Sequence, residues 1–243
     1  MTLSGIFNFN GHSSSDFNMR MLAWPSFGAA TKDVTANSVP GRNGSVFTSN
    51  HRYEDISFPV SFNAKPTSTY MQLISDIKNW LLIPDGYLPM TWDLMPDYTY
   101  YISFSGDNWT ATPIKTDLVS FTMTITIYPI AFLTTSLTET QYYTGSVLNN
   151  SGTVIAPPIV RCVGTGAGTF VLGSSTFQLQ NVTSEVDIDS LFGTVEDADG
   201  NDVYSEFVTT TYPSLPTLQV GNNTISVPSG WAIYIAPRIG ILA

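Results

Sequence analysis

Charge is what this chain has least of. Of its 243 residues only 12% are Asp, Glu, Lys or Arg, about half of the ~25% found in ordinary soluble domains. Nine cations face 19 anions, a formal net charge of −10. Nucleic-acid binding needs a basic footprint that displaces counterions, and nine scattered cations supply none. The same shortage argues against docking on an anionic membrane. A single cysteine, Cys162, excludes an internal disulfide framework and a cysteine-based zinc cluster. Two histidines, His12 and His51, leave little for a histidine metal site or triad. No apolar run approaches the ~20 residues of a membrane span. The opening Met1-Thr-Leu-Ser-Gly-Ile-Phe-Asn8 has neither the basic nor the apolar region of a secretion signal. The expectation is a protein made in a cytoplasm, with no disulfide and no membrane anchor.

Aromatics, by contrast, make up 13% of the chain, and Ser, Thr and Asn are abundant. Such a composition is not that of a disordered chain. It fits a mainly β protein whose surface is covered by hydroxyls and amides, which repels other subunits weakly. The length suits two domains of roughly 100–150 residues.

Residues 1–132 read as an α+β domain. Ile56, Phe58, Val60 and Phe62 alternate with polar or small residues, and so do Val119, Phe121, Met123, Ile125 and Ile127. Period two over that length marks half-buried antiparallel strands. Tyr98 to Phe104 is a third strand, preceded by a turn at Asp93 to Pro96. Between them, Tyr70, Leu73, Ile74, Ile77, Trp80 and Leu81 follow helical spacing, with Thr69 and Gln72 placed for a capping box and Pro84 and Gly86 closing the helix. Residues 133–145 are Thr-rich without periodicity and read as a linker. Residues 146–243 carry short strand signals at 158–163, 169–172, 176–179, 185–188, 224–227 and 231–235, split by turn residues, the pattern of a β-sandwich or jelly roll. The first domain holds 7 cations and 10 anions, and residues 133–243 hold 2 and 9, so the second is the acidic one.

No residue set reads as catalytic, cofactor-binding or metal-binding. Glu196-Asp-Ala-Asp-Gly-Asn-Asp202 resembles the start of a calcium loop, but the glycine comes too early for that register and no helices flank it; an acidic β-turn accounts for it. Asp187 and Asp189 read as the exposed face of a strand ending in a turn. His12 and His51 sit in no catalytic frame, and Cys162 lies in an apolar strand pattern that makes it a buried, inert thiol. Gly164-Thr-Gly-Ala-Gly168 opens no helix, so it is a hairpin turn and not a phosphate loop. Pro40-Gly-Arg-Asn-Gly44 allows two readings. It is either a hairpin turn with Asn-Gly suited to type I′, or a loop presented to a neighbouring subunit through Arg42.

The ordered set of features resembles a family. Phe7-Asn-Phe-Asn-Gly11 is followed by Pro40-Gly-Arg-Asn-Gly44, by Tyr53 to Phe62, by a helix ending Ile77-Lys-Asn-Trp-Leu81, by Tyr98 to Phe104 and by Tyr128-Pro-Ile-Ala-Phe132. The second domain adds Asn150-Ser-Gly-Thr153, Ala156-Pro-Pro-Ile159, Val186-Asp-Ile-Asp189 and Pro213 to Ile225. This is similar to the distal tail protein (Dit) family of long-tailed, non-contractile phages. The resemblance implies a ring-forming N-terminal belt domain and a galectin-like C-terminal β-sandwich. It implies a homo-hexameric ring joining the tail tube protein to the tail-associated lysin or tip protein, with receptor-binding proteins as further partners. It also implies passage of DNA through the ring without binding, a place in the virion, and no enzymatic activity or cofactor. Gly41, Arg42 and Gly44 match the family's glycine-arginine loop and are expected near a subunit contact. The alternative is a carbohydrate-binding module for cell-wall glycans, with Trp231 or Tyr234 as a stacking platform.

Overall fold

The computed structural model describes residues 5–22, 28–67, 69–209 and 215–243. Met1–Ser4 of the opening segment and Pro213 and Ser214 of the last motif lie outside them. The chain divides into two compact units, Met1–Ala131 with Leu242–Ala243, and Phe132–Ile241. Mainly β is what the structure shows.

The first unit is organised by one long strand. Its strands are β1 (Phe7–Phe9), β2 (His12–Ser13), β3 (Met19–Met21), β4 (Lys32–Ser38), β5 (Ser45–Tyr53), β6 (Ile56–Ala64), β7 (Leu88–Trp92), β8 (Met95–Lys115) and β9 (Leu118–Leu133). They form a sheet in the order β2-β1-β7-β8-β9-β6-β3, while β4 and β5 make a separate two-stranded ribbon. In β9 the expected alternation is complete: Val119, Phe121, Met123, Ile125 and Ile127 are buried, and the serine and threonines between them are not. Its register against β6 puts Phe62 opposite Phe121 and Val60 opposite Met123, so both strands present one apolar face. On the other face hydroxyls pair across the strands, Ser57 with Thr126 at 2.8 Å and Ser61 with Thr122 at 3.3 Å.

The apolar face is covered by α1 (Tyr70–Leu81). Leu73, Ile77, Trp80 and Leu81 are its buried residues, the stripe that the spacing predicted. Trp80 lies parallel to Phe7, 5.5 Å away, and to Phe17, 4.7 Å away. Its indole N–H donates to the Phe9 carbonyl at 3.0 Å, so the ring is buried with its polar atom satisfied. The capping box forms only by half. Thr69 Oγ1 accepts from the Gln72 backbone N–H, but the Gln72 side chain turns one helical turn forward and donates to Asp76.

The second unit contains β10 (Thr140–Tyr142), β11 (Val147–Asn150), β12 (Ile159–Val163), β13 (Gly166–Leu172), β14 (Ser175–Val182), β15 (Glu185–Asp189), β16 (Thr194–Asp197), β17 (Phe207–Thr209), β18 (Gly221–Ser226) and β19 (Ala232–Ala236). They form two five-stranded sheets, β10-β19-β12-β15-β16 and β11-β18-β13-β14-β17. One core joins them, with Val160, Cys162, Ile188 and Ile235 from the first sheet meeting Phe170, Leu172, Phe177 and Leu179 from the second.

Three expectations change here. The stretch 133–145, read as a linker, holds a one-turn 3-10 helix at Thr134–Leu137 and strand β10, which pairs with Ile233 to Ile235. The side chains of β10 are exposed or half-buried, so it carried no periodic signal. Gly164 to Gly168 is not a hairpin: β12 and β13 belong to different sheets, and Gly164 and Gly168 are bare because the Trp231 ring lies against them, while Gly166 takes a left-handed conformation, φ 84°. A Cβ on Gly164 would stand 2.4 Å from that indole.

Asp189 is the third. It is not an exposed strand residue but the partner of Arg238, which is 2% exposed and forks onto both of its carboxylate oxygens at 2.5 and 2.8 Å. The same carboxylate accepts from the backbone N–H groups of Leu191 and Phe192. Removing one partner of a buried ion pair costs about 3–5 kcal/mol, because the other charge stays buried. Asp189→Ala is therefore expected to destabilise the protein by that amount, and Asp189→Asn by less, read as a lowered urea midpoint.

A candidate assembly surface

The β4–β5 ribbon is a part of the first unit that the core does not claim. Nearly all its side chains are exposed. Register places Val34, Ala36 and Phe47 on one face of the ribbon, and Thr35, Asn37, Val46 and Thr48 on the other. Phe47 is 69% exposed and Val34 43%. Phe47 is a large aromatic at the middle of a two-stranded ribbon, and it is more exposed than Phe192, which is 48% exposed. An isolated two-stranded ribbon is marginally stable in water, and among the described residues both strands keep a free edge.

The base of the arm is fixed by polar contacts. Arg52 Nε donates to Asp33 at 2.5 Å, and Asn50 donates to the same carboxylate at 2.9 Å. These bonds, Arg52 first, hold the Asp33 carboxyl below its ordinary range. The register shifts at Asp33, and across the ribbon His51 takes a left-handed conformation, φ 57°. His51 is exposed and is a backbone feature of this irregularity.

The tip is residues 39–44. Arg42 N–H donates to the Val39 carbonyl at 3.2 Å, closing a turn with Pro40 and Gly41 at its centre. Proline followed by a residue at positive φ is the type II arrangement, and Gly41 has φ 78°. The expected Asn-Gly type I′ turn does not form: six residues separate the strands, and the left-handed positions are Gly41 and Gly44. Gly41, Arg42 and Gly44 are all exposed. Seven strand residues at ~3.3 Å each hold this tip roughly 23 Å from the arm's base.

The other candidate residues are absorbed locally. In the acidic loop Asp197 Oδ1 accepts from the backbone N–H groups of Asp199 and Asn201, and both its oxygens accept from the Asn201 amide. Asn201 is the main cause holding the Asp197 carboxyl below its ordinary range. Asp187 is half-buried and its carboxyl is pushed up, by burial first and then by Glu185, with Arg161 opposing. Tyr234 lies under the Arg161 guanidinium, 4.9 Å from ring centre to Cζ, and Trp231 packs edge-on against Phe170. Neither forms an open stacking platform with the other. His12 borders a cavity beside Trp80.

Cys162 is fully buried, and burial pushes its thiol well up from the ordinary range. It is expected to resist an aromatic disulfide reagent in the native protein and to react fully once urea unfolds it; rapid native labelling would contradict the placement.

The described residues thus form a helix-backed sheet with a long exposed arm in the first unit and a two-sheet acidic sandwich in the second. The chain belongs to the phage tail protein N-terminal domain family, whose profile matches residues 4–127. More particularly, its fold is that of the Dit proteins. It is similar to the SPP1 Dit (gp 19.1) protein, at 17% identity and a TM-score of 0.59, over 95% of this chain and 97% of that one. It is also similar to a chain of the phage P2 baseplate in its activated, calcium-containing conformation, at 10% identity and a TM-score of 0.54, over 97% and 98%. No curated protein sequence matches it.

Proposed function

We propose that this phage tail protein is a structural hub at the distal end of a long non-contractile tail. Six copies close a ring between the tail tube and the tip or baseplate, where the tail-associated lysin and receptor-binding proteins attach. The observation that carries this is the arm: Phe47 and Val34 stand exposed on a ribbon that has no reason to be ordered unless another chain covers it. A head-to-tail contact, arm of one copy on body of the next, closes into a ring if its rotation closes. The similarity to a protein described as a paradigm of the hub adsorption apparatus, and to a baseplate chain, supports the same placement. The role needs no catalysis and no cofactor. A net charge of −10 per copy suits a conduit that DNA passes without counterion-driven sticking. In this reading Gly41, Arg42 and Gly44, at the arm's tip, lie at the subunit contact.

Native mass measurement and electron microscopy of the purified chain test it. A hexameric ring is the expected species, alone or with the tube or tip protein; a monomer throughout would overturn the reading. Phe47→Asp is expected to raise the concentration needed for assembly by at least tenfold. Its urea midpoint should stay within error, because the side chain contributes nothing to the monomer core.

A further inference from the structure

The first unit contains an open cavity of about 390 Å³ that the fold does not use, lined by Asn10, His12, Phe17, Asp76, Asn79 and Trp80. Phe17 and Trp80, stacked 4.7 Å apart, form an aromatic wall. Asp76 projects from α1, and only its Oδ1 is engaged, by Gln72 Nε2 at 2.8 Å. Asn10, His12 and Asn79 stand exposed around it. A carboxylate with an open oxygen beside an aromatic wall and side-chain amides fits a guanidinium: the planar fork pairs with the carboxylate, and its carbon stem packs against the aromatic edge.

The chain supplies one suited to it. Six of the nine cations have an interaction within their own copy, among them Arg52 with Asp33, Lys65 with Asp117, Lys78 with Trp109, Arg161 with Glu139 and Arg238 with Asp189. Lys32, Arg42 and Lys115 remain. Of these only Arg42 is an arginine, and only Arg42 stands at the tip of the arm, on a turn pinned by its own backbone N–H. We infer that Arg42 of one copy seats in the Asp76 cavity of the next, so that arm and cavity are the two halves of one inter-subunit contact. This rests on the arm-bridged ring proposed above, and it names the receiving residues.

A charge-swap cycle on the full chain tests it, with the concentration at half-assembly read by native mass measurement. Arg42→Glu and Asp76→Arg are each expected to raise that concentration at least tenfold, and the double variant to recover most of the loss. Asp76→Asn, which keeps the side chain's size and its bond to Gln72, should weaken assembly in the same direction, with an unchanged urea midpoint. If the wild type forms rings but the two reversals add without recovery, the cavity is not the receiver and the ring proposal stands. If the wild type never assembles, alone or with its neighbours in the tail, both fall together.

Discussion

The first unit depends on a single constraint, the unbroken period of two in β9. Fixing one side of that strand inward commits five apolar side chains to the core. A slip of one residue would turn all of them to water. The strands β6 and β8 inherit their register from it, and α1 is then placed by the need to cover what those strands expose. Trp80 completes the arrangement between two phenylalanines that arrive from the N-terminal segment. The hierarchy runs from a repeat in sequence, to a face, to a helix, to a cavity left beside the helix where Phe17 and Trp80 stop.

The second unit solves the same problem without a long strand. Its two sheets share a core of branched and aromatic residues, and its connections are fastened individually. Asn223, for example, accepts from the Gln219 N–H and donates to the Gln219 and Gly221 carbonyls, holding the approach to β18. Arg238 is the larger case: a buried charge whose partner, Asp189, also orders the turn after β15. Such pairs add little net stability compared with apolar substitutes, but breaking one leaves an uncompensated buried charge.

What the sequence made legible follows from this. The strands with one buried face, β6 and β9, and the amphipathic α1 were readable because burial on one side writes a period into the residues. The short strands of the second unit were readable in position but not in length, and β10, β11, β16 and β17 left too few apolar residues to register. The arm was legible only at its turn, one reading of which was a hairpin; its strands carry no pattern because both faces are exposed, so nothing alternates between Lys32 and Tyr53. Its turn residues at 40–44 were visible, though the turn type was misjudged, since Asn43-Gly44 looks like a two-residue turn until the strand ends are known. Phe47 is one aromatic in a polar run and carries no periodic pattern, so its exposure could not be read from the sequence. The tie between Asp189 and Arg238 joins positions 49 apart, beyond any local pattern.

The outer face of the β6–β9 pair bears on how this protein meets its surroundings. Where many proteins would place lysine and glutamate, it places serine opposite threonine, and the two hydroxyls bond to each other. Uncharged pairs have no Coulomb attraction for dissolved ions to screen, whereas exposed ion pairs fade as the Debye length shrinks from about 30 Å at 0.01 M to about 3 Å at 1 M ionic strength. The pairing between these two strands is therefore held by bonds whose strength does not depend on dissolved salt.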